Sequence, residues 1–473
     1  MRVDFTKLDQ AFSPQCVVVV GDNERNNFSW LRAQNTFQGK LYSVQVNPGT
    51  AENIKALGVE NYASLLEIPE PIDLVIVAVP RAAALGVLED CIRKDVAAVH
   101  LFTAGFSETG TEEGARLESL LTRRAEETNF HLIGPNCFGI FSPKVGLRQS
   151  EEQYTGVAGP AGFISQSGNV SLTFSLKAHL QGVDINKCVS FGNGVVLDVA
   201  DYLEYFGRDP EIKAIGMYLE GVRDGRRFFT ILREVSARKP VLIWKGGRTE
   251  EGGRAIASHT GSLAVPQAVW DGAVEQCGAI KVAGMEELID TMKALLYLPP
   301  VRGKRVGVAG GSGGQSVIVA DVFAEAGLRV PPLTRESNDE LATFFSLIGG
   351  GYPNPIDTGG NVNRLEIGRI MQILVRDANI DNLALIMSTK PGWRITPEQL
   401  QRGLDLLVDI RKRTSKPVMA LVYLSTPDGQ EMARQVILKL QERGIPGFPS
   451  IQRGALALRN ALHYYSLRRR IDA

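Results

Sequence analysis

The chain has 473 residues, 44% hydrophobic and 22% charged, with 52 lysines and arginines against 52 aspartates and glutamates. This is ordinary globular composition on a length too great for one core, so about three domains are expected. A net charge of zero excludes a global field that would gather nucleic acid or an anionic membrane surface.

The five cysteines are scattered, with no C-x-x-C pair, which argues for a reducing compartment and against a disulfide framework or a zinc site. The N-terminal run Met-Arg-Val-Asp-Phe-Thr-Lys has no apolar signal region. The longest apolar runs, such as 74–79, are strand-sized, far short of the ~20 residues a membrane-spanning helix needs. A soluble, cytoplasmic protein is expected, with no nucleic-acid or membrane partner and no metal ligands.

In chain order, short β-branched runs alternate with amphipathic helical stretches, the pattern of parallel sheets covered by helices. Strands are expected at residues 16–20, 41–46, 74–79, 97–101 and 131–133, most followed closely by glycine or proline. Residues 1–150 therefore read as a doubly wound, Rossmann-like domain with its ligand crevice at the carboxyl ends of the strands. Gly21 follows the first strand, but the run continues Asp22-Asn23-Glu24-Arg25 without further glycines, and residue 46 is followed by Asn47-Pro48 rather than an acid. The dinucleotide fingerprint is absent, and NAD chemistry is poorly supported.

The remainder carries an internal duplication. Gly-Phe-Ile-Ser-Gln-Ser-Gly-Asn (162–169) and Val-Gly-Val-Ala-Gly-Gly-Ser-Gly-Gly-Gln (306–315) each open a unit as strand, small-residue turn and helix. Ser-Phe-Gly-Asn-Gly-Val-Val-Leu-Asp (190–198) before a helix over 199–206 matches Asp-Thr-Gly-Gly-Asn-Val-Asn (357–363) before a helix over 365–375. Two flavodoxin-like units, 156–298 and 303–473, are the economical reading. The second of these has nothing in place of Glu220 or His259, so the chemistry is expected in 156–298.

His259 stands in Gly-Gly-Arg-Ala-Ile-Ala-Ser-His-Thr-Gly-Ser-Leu (252–263), a glycine-rich run read as a loop. Of the five histidines, His100 and His131 fall in buried-looking strands and His179 and His463 in helical patterns. The turns Ser165-Gln166-Ser167-Gly168-Asn169 and Asp357-Thr358-Gly359-Gly360 are either phosphate cradles, with unpaired N–H groups at a helix's positive end, or ordinary tight turns. Glu220 follows a buried strand. There it either caps a helix or accepts an imidazole N–H, fixing the tautomer so that the other ring nitrogen is the nucleophile.

Taken together the chain resembles the α subunit of NDP-forming acyl-CoA synthetases, related to the α subunit of succinyl-CoA synthetase. The matching stretches are Ala-Gly-Phe-Ser-Glu-Thr-Gly (104–110), Gly-Pro-Asn-Cys-Phe-Gly-Ile (134–140), Ile-Ser-Gln-Ser-Gly (164–168), Ser-Phe-Gly-Asn (190–193), Tyr-Leu-Glu-Gly (218–221), Ala-Ser-His-Thr-Gly-Ser-Leu (257–263) and Asn-Pro-Ile-Asp (354–357). The resemblance implies a relay: an acid is activated as an acyl phosphate, coenzyme A displaces the phosphate, and a histidine carries phosphoryl to and from a nucleotide. By motif match His259 is the phosphorylated residue and Glu220 the carboxylate that steadies it. Ser165, Gln166, Ser167, Gly168, Asn169, Gly359 and Gly360 are the phosphate turns. Coenzyme A is implied in the first domain, near Gly21, Asn47, Pro48, Val79, Pro80, Gly105, Phe106 and Asn136.

The chain departs from the family at its first loop. Relatives usually carry Gly-Ala-Ser there; this chain has Gly-Asp-Asn with a bulky Phe-Ser-Trp nearby, and an aspartate at 22 is expected to repel an approaching phosphate. No ATP-grasp segment is expected within these 473 residues. The resemblance therefore implies an ATP-grasp β subunit as partner, in an α2β2 assembly, holding ATP or ADP with Mg2+. Two other roles fit the scaffold: an acyl or carbamoyl transfer to phosphate without nucleotide, and a non-catalytic acyl-CoA sensor.

Overall fold

The computed structural model describes residues 3–260, 266–345, 354–358, 364–388, 397–423 and 429–471. It divides into two compact units, Met1–His179 with Val183–Ala283, and Leu180–Gly182 with Gly284–Ala473.

The first unit holds two sheets. The first comprises β1 (Cys16–Val20), β2 (Lys40–Val44), β3 (Glu60–Tyr62), β4 (Leu74–Val77), β5 (Ala98–Leu101) and β6 (His131–Ile133), all parallel, in the order β3-β2-β1-β4-β5-β6. This is the Rossmann order, reversing between β1 and β4. Every residue of β1, Cys-Val-Val-Val-Val, is buried, as a strand covered on both faces requires. The expected strands are present with slightly different ends. β3 was not anticipated, because its three residues Glu-Asn-Tyr are exposed or half-buried and carry no apolar pattern.

The second sheet comprises β7 (Gly139–Phe141), β8 (Ala161–Ser165), β9 (Ile185–Ser190), β10 (Ala214–Leu219), β11 (Val241–Lys245) and β12 (Ile280–Val282), in the order β12-β11-β10-β8-β9-β7. β7 pairs antiparallel with β9, and the others are parallel. Without β7 the winding is flavodoxin-like, with its reversal between β8 and β10.

β7 reaches the second sheet directly after the turn at 134–138, and that turn is stitched to the one after β9. Asn193 N donates to Pro135 O (3.0 Å), Val195 N to Gly134 O (3.2 Å) and Phe138 N to Ser190 Oγ (3.2 Å). One apolar core accordingly contains side chains of both sheets, among them Val17, Ile76, Ile164 and Met217. Gly192 makes the seam possible. Its φ is +53°, and a Cβ there would sit 2.2 Å from Asn136 O and 2.3 Å from Pro135 O. Gly192→Ala combines a left-handed conformation with a main-chain clash, and is expected to lower unfolding free energy by about 1–3 kcal/mol, read from denaturant titration.

In the second unit β13 (Val306–Ala309), β14 (Asn382–Ser388), β15 (Val418–Tyr423) and β16 (Gly447–Phe448) run parallel in that order. On the other side of β13, where β9 lies beside β8 in the first unit, the described residues form isolated parallel bridges, Arg305 with Arg329 and Ala309 with Ile356. The helix Arg335–Ala342 interrupts that strand position. Asn354 supplies part of the missing ladder: its Nδ2 donates to Val306 O (2.6 Å) and Pro331 O (3.1 Å), and its Oδ1 accepts from Val308 N (2.8 Å). The duplication read from the sequence is visible as this shared winding. The expected helices at 199–206 and 365–375 are Val199–Arg208 and Arg364–Arg376.

Candidate active site

β8 and β10 end side by side at the point where the strand order reverses, and one side chain ties the segments that leave them. Gln166, the residue after β8, donates its N–H to Tyr218 O (3.0 Å). Its Oε1 accepts from Glu220 N (2.7 Å) and Gly221 N (3.1 Å). A buried Ser165 folds the next turn back on itself, its Oγ donating to Ser167 O (2.7 Å) and accepting from Ser167 N (3.1 Å). The helix Gly168–Leu180 starts from this turn, and Val170 N reaches Ser167 Oγ (3.4 Å). Among the described residues the N–H groups of Gly168 and Asn169 have no acceptor. Free amides at a helix's positive end, in a crevice between two sheet strands, form an anion site.

Glu220 lies at the same crossing, 6% exposed. Tyr218 Oη donates to its Oε1 (3.3 Å). Burial first, and then the Glu220 carboxylate, push the Tyr218 hydroxyl pKa up, so it stays a donor. Beneath them Lys245, at the end of β11, sends its ammonium to Glu220 O (2.7 Å) and Gly246 O (2.6 Å) and lies over the Trp270 ring. Burial lowers the Lys245 pKa, against the raising influence of Glu220. Nothing in the local sequence pattern marks this lysine. Lys245→Met is expected to leave two carbonyls without a donor and cost about 1–3 kcal/mol, measured as a lower Tm.

Position 259 was expected on a loop but falls in the last turn of a helix, Glu250–Thr260; the His259 side chain lies outside the described residues. Glu250 and Glu251 in its first turn favour the helix's positive end, which outweighs the glycines that suggested a loop. Gly359 and Gly360 lie outside the described residues. Before them Asp357 and Thr358 follow the Ile356 bridge, Thr358 Oγ1 donating to Gly311 O (3.5 Å).

The residues of the first sheet singled out for coenzyme A all stand beyond the carboxyl ends of strands. Gly21 follows β1, with φ +87°. Asn47 follows β2 and caps the helix Pro48–Ala56 by accepting from Thr50 N (3.2 Å). Val79 and Pro80 follow β4, and Val79 O accepts from Thr103 Oγ1 (2.7 Å). Gly105 and Phe106 follow β5, but their N–H groups are taken by the Glu108 carboxylate (2.6 and 3.1 Å). Asn136 follows β6, with φ +58°, its Nδ2 donating to Asn193 Oδ1 (3.4 Å). Asn193 Nδ2 in turn donates to Glu108 and Glu118, both at 2.8 Å, tying this edge to the second sheet.

Asp22 does not face the crevice as expected. It is fully buried and accepts from Leu31 N (2.9 Å) and Asn23 N (3.2 Å), while burial raises its pKa. The carboxylate satisfies backbone donors near the helix Ser29–Ala33, and Glu24 is the exposed acid of this loop, accepting from Thr50 Oγ1 (3.0 Å) and Asn53 Nδ2 (2.8 Å). Arg223 is exposed and donates to Gly194 O (3.0 Å), and the half-buried Arg227 pairs with Asp201 (2.6 Å).

The other histidines are committed elsewhere. Burial lowers His100 and His131 to about 4, so both are neutral imidazoles in the core. His179 pairs with Asp184 (2.6 Å) and stacks on Tyr154. His463 lies within the helix Ile451–Ile471 of the second unit. Among the described residues no cluster of His, Cys, Asp and Glu would hold a metal ion, and no helix is long and apolar enough to cross a membrane.

Comparison with known proteins agrees with both sheets of the first unit. Residues 15–143 match the family model of a CoA binding domain, and residues 158–295 that of the succinyl-CoA ligase like flavodoxin domain. The chain is 33% identical, over 93% of its length and 94% of the relative's, to the α subunit of the ADP-forming acetate–CoA ligase II of Pyrococcus furiosus. With the α subunit of ligase I of that organism it shares 32% identity, over 97% of this chain and 98% of the relative. The solved structure of Ca. Korarchaeum cryptofilum dinucleotide forming acetyl-coenzyme A synthetase 1, in complex with phosphate and ADP, superposes with a TM-score of 0.84 at 28% identity, covering 98% of each chain.

Proposed function

Because the chain belongs to the family of ADP-forming acyl-CoA ligase α subunits, we propose that it is the CoA-binding, phosphoryl-carrying half of a two-subunit ligase. The reaction is carboxylic acid, coenzyme A and ATP to acyl-CoA, ADP and phosphate, and it is reversible. His259 takes the phosphoryl group from ATP on an ATP-grasp β subunit, releasing ADP. An acid carboxylate oxygen then attacks that phosphorus, the bond to the imidazole breaks, and an acyl phosphate forms. The coenzyme A thiol loses its proton and attacks the acyl carbon, and phosphate leaves.

The observation that carries this reading is the crossing of β8 and β10, where Gln166 holds Glu220 beside a turn with the unpaired N–H groups of Gly168 and Asn169. In this role those amides receive the phosphate, with Ser165, Gln166 and Ser167 shaping the turn, and Gly359 and Gly360 serve as a second phosphate turn. Glu220 offsets the positive charge that develops on a phosphorylated imidazole. Coenzyme A lies along the carboxyl ends of the first sheet, past Gly21, Asn47, Pro48, Val79, Pro80 and Asn136. Where Glu108 occupies the N–H groups of Gly105 and Phe106, those residues contribute shape rather than free donors.

The division into 1–150, 156–298 and 303–473, an α2β2 assembly, Mg2+ at the partner's nucleotide site and a cytoplasmic location all belong to this proposal. The test combines the chain with an ATP-grasp β subunit and follows ADP release with a panel of acids. Release beyond the one ADP per site set free on phosphorylation of His259 is expected to require both acid and coenzyme A. Phosphorolysis of an acyl or carbamoyl donor without coenzyme A would sink the ligase reading in favour of a transferase.

A further inference from the structure

The pocket at the phosphate turn has two walls of different chemistry. Gly168 and Asn169, with their unpaired N–H groups, line one side of a space of about 150 Å³, and Asn136 and Phe138 line the other. An anion on the helix end therefore lies across the pocket from the Asn136 side-chain amide.

That residue is held more firmly than a surface asparagine. Its main-chain N–H donates to Thr103 O (3.1 Å), and its carbonyl abuts Gly192 so closely that a Cβ there would lie 2.2 Å away. The side chain is turned by Asn193. Glu108 and Glu118 each accept from Asn193 Nδ2 at 2.8 Å. Carboxylate oxygens only accept, so both hydrogens of that amide are used and Asn193 Oδ1 is forced to the opposite side. There it accepts from Asn136 Nδ2 (3.4 Å). Asn136 Nδ2 carries a second hydrogen, for which no acceptor stands among the described residues. The carboxylates are themselves fixed, Glu108 by the N–H groups of Gly105 and Phe106 and Glu118 by Ser107 Oγ (2.7 Å). Joining the two sheets does not require this chain of side chains, because Asn193 N and Val195 N already bond across the seam to Pro135 O and Gly134 O.

Resting on the ligase reading above, we infer that Asn136 donates its second amide hydrogen to the acyl oxygen at the reacting carbon, and that Asn193 is the positioning residue that sets its direction. When phosphate attacks an acyl-CoA, a phosphate oxygen bonds to the acyl carbon, the carbon–sulfur bond breaks, and the proton that phosphate carried passes to the departing thiolate. Negative charge collects on the acyl oxygen on the way, where a preorganised N–H stabilises it. The next step, transfer of phosphoryl from the acyl phosphate to His259, takes place at phosphorus. It leaves the charge shared over both oxygens of the departing carboxylate, so it depends far less on that one donor.

The test separates the two steps on the full chain. Labelled phosphate with whichever of acetyl-, isobutyryl- and phenylacetyl-CoA labels the wild type reports both steps. The labelled acyl phosphate of the same acid reports only the second. Asn136→Gly, which keeps the φ of +58° without strain, is expected to slow labelling from the thioester by roughly 10²-fold. The loss should fall in kcat, with KM for phosphate little changed, and labelling from the acyl phosphate should fall far less. Asn193→Ala should act in the same sense by roughly tenfold. The ratio of the two rates on one preparation does not depend on its folded fraction, so a partly folded variant still decides. Equal slowing in both assays, or no slowing from the thioester, would overturn the inference and leave the ligase reading standing. A ratio unmoved in Asn193→Ala would overturn the positioning role. Wild-type label from an acyl phosphate but from no thioester would overturn the inference while the phosphohistidine stood. Absence of label from every thioester and acyl phosphate, with the chain folded, would instead overturn the ligase reading itself and the inference with it.

Discussion

His259→Ala is expected to abolish phosphoryl labelling of the chain, both from ATP through a β subunit and from acyl-CoA with phosphate. Overall ligase turnover should fall by roughly 10³-fold or more, because a covalent carrier has no parallel route when its nucleophile is removed. No other histidine of the first unit is placed to take over. His100 and His131 are held neutral in the core, lowered to about 4 by burial, and His100 already meets Cys137 O at 3.0 Å. The His179 ring is occupied by Asp184 and Tyr154. The label should be acid-labile and base-stable, as a phosphoramidate is. Label of that kind surviving in His259→Ala would move the carrier role to another residue, and undiminished turnover would remove the relay altogether.

The sequence made the scaffold legible because its signals are local and repeated. Four consecutive valines after Cys16, β-branched and bounded by glycine, favour a strand buried on both faces, and that is what forms. Two copies of strand, small turn and helix, at 162 and 306, announce the same winding twice. β3 and β7 escaped notice for the complementary reason: each has three residues, too few for a period to show, and each is fixed by the strand beside it. The anion turn was legible in its small residues, since only such residues leave helix-end amides uncovered. What holds the turn was not. Gln166 acts across 54 residues on the Glu220 N–H, Lys245 across 25 on the Glu220 carbonyl, and Asn193 across 85 on Glu108, and no local pattern encodes such a partner. The inward turn of Asp22 was hidden likewise. Sequence showed a charge beside a crevice, whereas its direction follows from the donors offered by Leu31 and Asn23.

Glu220→Gln separates the charge of this carboxylate from its shape. Glutamine keeps an oxygen for the Tyr218 hydroxyl, and the main-chain bonds to Gln166 and Lys245 do not depend on the side chain. The fold and Tm are therefore expected to be nearly unchanged. Only the negative charge is lost, at a position 6% exposed where little water screens it. If that charge balances a phosphorylated imidazole, its removal should slow label uptake by roughly 10²–10⁴-fold, the range seen when a buried group that orients or stabilises a catalytic histidine is neutralised. Loss of a neighbouring anion also lowers an imidazole pKa. Protonation then claims the nucleophile only at lower pH, and the acid limb of the labelling rate should move downward. A structural cap would behave otherwise: Tm would fall, the limb would stay in place, and any loss of rate would follow the loss of folded protein. Measuring rate against pH and Tm on the same preparation decides between the two roles of Glu220.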